Sequence, residues 1–406
     1  MLKTIHVEDF QPGMYVVRLH GPWLKHPFWR TSFLADADDV ERLRNSGVEA
    51  LDIDIARGRD VSGRAMPDAG QPQAAPDIAA AIVDSAGEPD SPSAQITLAA
   101  EIARARRICE EGRDTVEAMF REARMGRALE LDAAIPLVNE IAASVMRHPG
   151  ALVSVARLKT ADDYTFLHSV AVSALMVALA RELGLGEEQR REAAMGGLLH
   201  DLGKAKMPLH ILNKPGRLSD EEFDLMRQHP AAGERLLRAS GVENAAVLHM
   251  VRHHHERMDG AGYPDALDEA AIPLLTRMSA VCDVYDAITS NRPYKPGWDP
   301  AESLRRMASW QGHFDPRVFK ALVRSLGIYP IGSLVRLSSE RLAVVIETGA
   351  QALAPPRVRV FYSARARSHV LNHDIDLAAP GCSERIVAVE SPQAWGFRRL
   401  ENLWMP

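Results

Sequence analysis

The sequence predicts a mainly α-helical protein, with a small α+β domain before the helices and a small β appendage after them. Three observations lead to this fold class. Apolar residues recur at helical spacing from about residue 96 to about residue 326. The segments on either side of this region alternate apolar and polar residues, as strands do. Residues 61–95 are rich in Pro, Ala, Ser, Asp and Gly, a composition that buries little surface.

The predicted elements divide the chain into five parts, which are a small α+β domain at 1–60, a flexible linker at 61–95, a helical connector at 96–144, the principal helical domain at 145–330 and the β appendage at 331–406. In the first part, IHVEDFQPGMYVVRL and EALDIDI are predicted strands, and DDVERLRNSGV is a short helix that ends at Gly47. In the last part, SLVRLSSERLAVVIETG and RVRVFYSAR are predicted strands because they alternate and contain β-branched residues.

The region between about 96 and 326 is predicted to contain a series of amphipathic helices. Their segments are ITLAAEIARARRICEEGRDTVEAMFREA, AAIPLVNEIAASVMRHP, TFLHSVAVSALMVALARELG, EQRREAAMGGLLHDLGK, DEEFDLMRQHPAAGERLLRA, NAAVLHMVRHHHERM, PLLTRMSAVCDVYDAITS and DPAESLRRMASWQG. Gly184 and Gly241 lie where helix C-caps are expected. Ser219 is expected to cap a helix N-terminus.

Length, charge and cysteine content restrict the class of protein. A chain of 406 residues suggests two or three domains. The net charge of -6 argues against a nucleic-acid polymer as partner, since such binding needs a basic surface. The cysteines, Cys109, Cys282 and Cys382, are scattered and odd in number, which fits a reducing compartment. Charged residues interrupt the apolar stretches, so the sequence predicts a cytoplasmic protein without a membrane span.

The middle third of the chain has a high density of His and Asp on predicted helices. The residues concerned are His168, His200, Asp201, His229, His254, His255 and Asp283. Imidazole and carboxylate together suit Fe, Mn or Zn, whereas Mg prefers oxygen ligands. An adjacent His-Asp pair offers one nitrogen ligand and one carboxylate that can bridge two cations. Such a pair of cations can supply a nucleophile and bind phosphate oxygens.

Each of these residues also has a simpler interpretation when it is considered alone. A single His on a helix is usually a core or surface residue, and a His-Asp pair can occur by chance, as His373-Asp374 in the β appendage illustrates. The run from His253 to His255 could be a solvated helix end. The whole set in one helical region favours a metal site over these alternatives.

The middle third resembles the HD-GYP family, a branch of the HD phosphohydrolase superfamily, over about residues 145–330. The matching segments are YTFLHSVAVSALMVALA, GLLHDLGKAKMPLHILNKPGRLSDEE, MRQHPAAGERLL, HHHERMDGAGYPDAL and VCDVYDAITSNRPYK. The family motif HHExxDGxGYP is matched by His254-His255-Glu256, Asp259-Gly260 and Gly262-Tyr263-Pro264. The resemblance implies an all-helical, HD-type metal-dependent phosphohydrolase domain that hydrolyses the bacterial messenger cyclic di-GMP.

The resemblance also implies a role for each matching residue. The metal ligands are His168, His200, Asp201, His229, His254, His255 and Asp283. Asp201 is the expected bridge between the ions, and His253 is left as a non-ligand. Lys204 and Asp201 are the expected catalytic residues. The residues expected to bind substrate are Lys204, Asp286, Arg292 and Lys295. Basic side chains suit a substrate with two negative phosphodiesters.

One position departs from the pattern of trinuclear family members, which have Glu one helical turn before the first His. Here that position is Tyr164, a poor ligand for a third ion, so the sequence predicts two divalent metals. The resemblance favours Fe, with Mn as the alternative. Two metals favour the first cut of the ring to linear pGpG and leave further hydrolysis to GMP open.

The resemblance extends to possible partners and to the N-terminal segment. QPGMYVV, WLKHPF and DVERLRNSGVEAL resemble the domain of unknown function often fused ahead of HD-GYP domains, which names no activity. In the family, the Gly262-Tyr263-Pro264 loop is a proposed contact surface for diguanylate cyclase (GGDEF) domains, although the same residues could form a simple turn. A homo-oligomer is compatible with the sequence.

Two other functions stay open at this point. The domain could be an HD phosphohydrolase that acts on another nucleotide, since the His-Asp pair alone does not separate the two; the GYP and NRPYK segments favour cyclic di-GMP. It could instead be a catalytically silent sensor or scaffold that binds cyclic di-GMP. The complete ligand set favours catalysis over this second alternative.

Overall fold

The structure, a computed structural model, describes residues 2–20, 33–44, 50–55, 57–59, 98–127, 129–158, 164–214, 216, 218–290, 297–349, 354–397 and 399–405. It forms two compact units. The first contains the described residues up to 59, and the second contains those from 98 onward apart from Gly216. The predicted linker and the predicted helix end at Gly47 lie outside the described residues. The predicted domain boundaries stay predictions.

The first unit is an antiparallel sheet with one helix, as the sequence predicted. Its elements are β1 (Leu2–His6), β2 (Tyr15–His20), β3 (Phe33–Leu34), α1 (Ala37–Arg44) and β4 (Ala50–Asp54), with strand order β1-β4-β2-β3. Ile5 of β1 pairs with Leu51 of β4, and both are buried. Every second residue of β4 is buried because side chains alternate across a strand, so this period of two forms the small core.

The second unit begins with a helical domain. Its helices are α2 (Leu98–Met125), α3 (Ala134–Arg147), α4 (Pro149–Ala156), α5 (Tyr164–Glu182), α6 (Glu187–Leu199), α7 (Leu209–Leu212), α8 (Asp220–Met226), α9 (His229–Ala239), α10 (Ala245–His253), α11 (Leu274–Thr289), α12 (Pro300–Ala308) and α13 (Pro316–Leu326). Gly184 and Gly241 follow α5 and α9 with positive φ, as expected near helix C-termini. Ser219 caps α8 by accepting a hydrogen bond from the Glu222 backbone N–H.

Helix α5 is the central helix of this domain and packs against α3, α6, α11 and α13. Among the described residues, only its window Thr165–Glu182 is long and apolar enough to cross a membrane. That window is 72% buried inside the protein. A helix that is apolar on all sides belongs either to a core or to a membrane. The burial favours a core helix.

Three predicted helices end or break at the histidine positions. Helix α6 ends at Leu199, and a 3₁₀ helix, Leu202–Lys206, begins after Asp201. The predicted helix DEEFDLMRQHPAAGERLLRA is two helices, because α8 ends at Met226 and α9 begins at His229. Helix α10 ends at His253, so the two following histidines lie beyond it. The continuous helices predicted across these positions are therefore wrong.

The C-terminal part of the second unit is a five-stranded antiparallel sheet. Its strands are β5 (Leu334–Leu337), β6 (Arg341–Glu347), β7 (Arg357–Ser363), β8 (Ser368–Asp376) and β9 (Ile386–Val389), in the order β8-β7-β6-β5-β9. This confirms the predicted β appendage. Arg157, after α4, donates to the Ile331 carbonyl at 3.0 Å and so joins the helices to the residues before β5.

Asp299 forms a second connection between the helices and the sheet. Its Oδ1 accepts hydrogen bonds from the backbone N–H groups of Ala301 and Glu302 at the start of α12, at 2.9 and 3.2 Å. Its Oδ2 accepts from the Leu334 N–H at 3.1 Å. Burial raises the pKa of Asp299 to about 6, against the hydrogen bonds and Arg157, which lower it.

This pKa predicts a pH-dependent stability. The folded protein binds the Asp299 proton more tightly than the unfolded chain, in which Asp ionises near pH ~4. The free energy of unfolding therefore falls as pH rises from about 4 to about 6, by on the order of 3 kcal/mol. Asp299→Asn removes this titration and keeps an oxygen that can accept from the N–H groups of α12. The variant loses one hydrogen bond, and this loss of stability does not change with pH. In urea unfolding across this pH range, the free energy of unfolding of the variant should rise relative to that of the wild type as pH rises. A difference that does not change with pH would contradict the assignment.

Candidate metal centre

The seven predicted ligands come from separate segments and meet at one place in the helical domain. They are His168 on α5, His200 and Asp201 directly after α6, His229 at the start of α9, His254 and His255 directly after α10, and Asp283 on α11. All are buried except His255, which is half-buried. The structure thus brings together every residue that the sequence predicted as a ligand.

Asp201 lies between two groups of potential ligands. Group 1 is His168, His200 and Asp283, and group 2 is His229, His254 and His255; within each group the ligand atoms lie within 4.8 Å of one another. The Oδ2 atom of Asp201 is 3.5 Å from Nε2 of both His168 and His200. Its Oδ1 atom is 3.3 Å from Nε2 of His229 and 3.8 Å from Nε2 of His254. A carboxylate with one oxygen toward each group is suited to bridge two cations.

The helix ends determine which nitrogen of three histidines faces the centre. In each case Nδ1 lies 2.7–2.9 Å from the carbonyl oxygen three residues earlier; the pairs are His200 with Gly197, His229 with Met226, and His254 with Val251. These carbonyls belong to the last turns of α6, α8 and α10, which lack helical partners. Because a carbonyl can only accept, Nδ1 bears the proton. The neutral rings therefore direct the Nε2 lone pair toward the centre.

A carboxylate performs the same task for His168. Its Nδ1 is 2.6 Å from Oδ2 of Asp286, and Ser290 Oγ donates to the other oxygen of Asp286 at 3.2 Å. The family resemblance implied that Asp286 binds substrate. In the structure Asp286 is 3% exposed and lies behind the His168 ring. This contact orients Nε2 of His168 toward Asp283, whose Oδ1 is 3.0 Å away.

The charge state of the centre suits cations. Burial lowers the pKa of His200 and His254 and lowers that of His255 to about 3, so these rings are neutral near pH 7. Burial acts to raise the pKa of Asp201, but Lys204 and the neighbouring imidazoles hold it well below its usual range. Asp283 is shifted in the same direction against its own burial, chiefly by His168. Neutral imidazoles and ionised carboxylates are the forms that bind metals.

The centre has acceptor atoms without matching donors. The Nε2 atoms of His168 and His200 are 3.3 Å apart, and those of His229 and His254 are 3.2 Å apart. Among the described residues, Asp201 Oδ1 is buried without a hydrogen-bond partner. Facing lone pairs repel, and a buried unpaired oxygen is unfavourable. A cation in each group would remove both costs, so the residues fit divalent metals of the Fe, Mn or Zn type.

The loop of residues 262–266, which we call the GYP loop, packs against this centre. Glu256, only 2% exposed, accepts hydrogen bonds from the backbone N–H groups of Asp265 at 2.8 Å and Leu267 at 3.1 Å. Gly262 leaves no room for a side chain, since a Cβ there would lie 2.5 Å from the Glu256 Cα. The Tyr263 ring lies on His255, with the ring centroids 4.6 Å apart. Glu256 had no predicted role, although its position directly after His254 and His255 in the motif indicated that it belongs to the site.

His253 faces away from the ligand groups. Its Nε2 is 2.8 Å from Oδ2 of Asp265, which also accepts from Arg252 at 2.7 Å. The position agrees with the prediction that His253 is not a ligand, and it connects α10 to the GYP loop. The other His-Asp pair, His373-Asp374, lies on β8, where Asp374 pairs with Arg359 at 2.6 Å.

The remaining predicted site residues are only partly described. Lys204, in the 3₁₀ helix, is partly exposed and forms an ion pair with Asp201 Oδ2. Arg292 and Lys295 lie outside the described residues. Tyr164 is the first residue of α5, and its side chain is outside the described part of the structure.

The fold and the centre define the class of protein: a metal-dependent phosphohydrolase of the HD type. Comparison with known families agrees, because residues 136–318 match the family described as HD domain. Residues 2–134 match a domain of unknown function (DUF3391), as the N-terminal resemblance predicted. The chain is 50% identical over 407 residues to the cyclic di-GMP phosphodiesterase PA4108 of Pseudomonas aeruginosa. The alignment covers 100% of this chain and 96% of that protein. The chain therefore belongs to the HD-GYP family.

Two further relatives match a shorter part of the chain. The cyclic di-GMP phosphodiesterase response regulator RpfG of Xanthomonas campestris is 44% identical over 150 residues, or 36% of this chain and 39% of that protein. The 3'3'-cGAMP-specific phosphodiesterase 1 of Vibrio cholerae is 37% identical over 166 residues, or 40% of this chain and 38% of that protein. Two different cyclic dinucleotides thus appear in the names of proteins that are similar to parts of this chain.

Proposed function

We propose that this protein is a metal-dependent phosphodiesterase that hydrolyses cyclic di-GMP to linear pGpG. The observation that supports this is the position of Asp201, with one oxygen toward each group of three ligands. The full-length relative that is named a cyclic di-GMP phosphodiesterase supports the substrate.

The proposal includes two divalent ions, with Fe favoured and Mn as the alternative. When bound in the two groups, such ions would lower the pKa of a water molecule and stabilise negative charge on the phosphoryl oxygens. The protein itself supplies fixed imidazole directions through the helix-end carbonyls and Asp286. Tyr164 stands where a third ion would need a carboxylate, which supports two ions and favours pGpG over complete hydrolysis to GMP.

Basic side chains complete the proposed site. Lys204 is the one whose position is described, beside the shared carboxylate and partly open to solvent. If cations bind the oxygens of Asp201, they compete with this ion pair, and the Lys204 ammonium can instead donate a charge-assisted hydrogen bond to a phosphate oxygen of the substrate. Arg292 and Lys295 are proposed to bind the second phosphodiester.

A second candidate substrate is 3'3'-cGAMP, because the Vibrio cholerae relative named for it is 37% identical to this chain over 166 residues. The discriminating experiment incubates anaerobically purified protein and Fe(II) or Mn(II) with cyclic di-GMP, 3'3'-cGAMP or GMP, and follows the products by chromatography. We expect cyclic di-GMP to be consumed fastest, with pGpG as the first product. Faster loss of 3'3'-cGAMP would change the substrate assignment. Hydrolysis of GMP alone would indicate a nucleotidase, and intact substrates with metal bound would indicate a sensor.

The predicted partner, a GGDEF-domain protein, would meet the GYP loop. In that loop Asp265 and Ala266 are exposed, whereas Tyr263 is half-buried against His255. We propose the exposed side of the loop as the contact, and titration of a purified GGDEF domain against the full chain tests it. A homo-oligomer and a cytoplasmic location stay predictions; light scattering of the purified protein addresses the first.

A further inference from the structure

Beside group 2, three side chains form a surface of two aromatic rings and one guanidinium, which we call the aromatic platform: Phe223, Arg227 and Tyr263. The Arg227 guanidinium carbon is 5.0 Å from the Tyr263 ring centroid and 6.0 Å from that of Phe223. The Phe223 and Tyr263 ring centroids are 6.5 Å apart. Since Tyr263 also lies on His255, the platform adjoins a predicted metal ligand.

The platform is open to solvent. Phe223 is 41% exposed, and the Arg227 side chain is 42% exposed. Helix α8, which bears Phe223, has no buried residue, so the core does not require an aromatic ring there. The Ser219 cap and the Lys214–Glu222 ion pair stabilise the N-terminal turn of α8. The Phe223 ring therefore presents an aromatic face to solvent beside the Arg227 guanidinium.

The chemistry of the platform matches a nucleobase joined to a phosphate. Bases stack on aromatic faces, and a guanidinium can stack on a base while its N–H groups bind a phosphate oxygen. Arg227 pairs with Asp224 at 3.7 Å, and this is a weak surface pair. Tyr263 contacts group 2 through His255, whose ring centroid is 4.6 Å from that of Tyr263 and 5.1 Å from that of His229.

We propose that the aromatic platform is the base subsite of the enzyme: Phe223 and Arg227, together with Tyr263, stack one guanine of the cyclic dinucleotide while its phosphodiester lies at the metal centre. This inference rests on the proposed function and adds residues that determine substrate affinity. The platform residues are positioned to act on KM, since the base does not take part in the cleavage of the P–O bond.

The test uses Phe223→Ala and Arg227→Met in the full chain, with Phe223→Trp as the conservative variant and Leu225→Ala as the matched control. Leu225 lies on the same helix and is 43% exposed. Phe223→Ala is expected to lower kcat/KM for cyclic di-GMP by about 5- to 150-fold, the range for one lost base–aromatic stack, mainly through KM. Arg227→Met should act in the same direction, while Phe223→Trp and Leu225→Ala should retain the wild-type KM.

Two further readouts separate a base subsite from damage to the centre. Bound metal per chain and the inhibition constant of inorganic phosphate, which has no base, should stay at the wild-type values in Phe223→Ala and Arg227→Met. Wild-type turnover with an unchanged KM in both variants would overturn the base subsite and leave the proposed function in place. A parallel change in KM and in phosphate inhibition would also overturn it, by showing a disturbed metal centre. No wild-type turnover with metal bound would overturn the proposed function and this inference with it.

Discussion

Asp201→Ala is expected to lose both bound metals and nearly all turnover of cyclic di-GMP. One oxygen of this carboxylate faces group 1 and the other faces group 2, so both positions lose a ligand at once. Because bound cations contribute several kcal/mol of charge stabilisation, turnover should fall on the order of 1,000-fold. Metal analysis of the purified variant and chromatography of the products measure the two effects.

The chain offers a matched control in its other His-Asp pair. Asp374 is the same residue type after a histidine, but it lies on β8 and pairs with Arg359 at the surface. Asp374→Ala should therefore keep wild-type metal content and turnover, with only a small change in stability. Circular dichroism should show that Asp201→Ala is folded. Full turnover by Asp201→Ala with two metals still bound would refute the bridging role.

Gly203→Ala is expected to destabilise the helical domain and to displace a ligand. A Cβ at this position would lie 1.9 Å from the His229 carbonyl oxygen and 2.5 Å from the Gly233 backbone nitrogen. Both are backbone atoms, so α9 itself must move. Overpacking of this kind costs about 1–3 kcal/mol or more. We expect a fall in Tm of roughly 5–10 °C and weaker metal binding by group 2, since His229 begins α9.

Gly196→Ala is the matched control on the neighbouring helix. A Cβ there would lie 2.1 Å from Cε and 2.8 Å from Sδ of Met250, the end of a flexible side chain that can rotate away. Alanine is also more favourable than glycine inside a helix, by about 1 kcal/mol. Thermal unfolding should show a smaller loss than for Gly203→Ala. Equal Tm values and metal contents for the two variants would show that the close approach at Gly203 is not important.

Candidate ligands could be selected from the sequence because metal binding restricts residue types. Only a few side chains offer imidazole nitrogen or carboxylate oxygen, and their order along the chain matched a known motif. The helices were predictable because an apolar period of 3.6 residues is a local signal. Gly184 and Ser219, at helix ends away from the centre, were identified for the same reason.

The helix ends at the centre could not be predicted in this way. Local propensity continues through His200 and through His229, yet the structure breaks the helices at both. After the break near His200, Gly203 lies against the backbone of α9. This is a contact between segments that are distant in sequence, so local propensity does not report it. Strand β8 was not predicted either, because its residues are mostly exposed and polar, whereas those of β6 are mostly apolar and buried.

The sequence by itself determined which residues can bind metal, the helical class of the domain and the family to which the domain belongs. The tertiary structure alone decided that Asp201 turns one oxygen to each group, that helix-end carbonyls orient three histidines and that Asp286 orients His168. The physical reason is that ligand types are properties of single residues, whereas ligand directions depend on where each helix ends. His168 and Asp286 are 118 residues apart, and only packing of α5 against α11 brings them into contact.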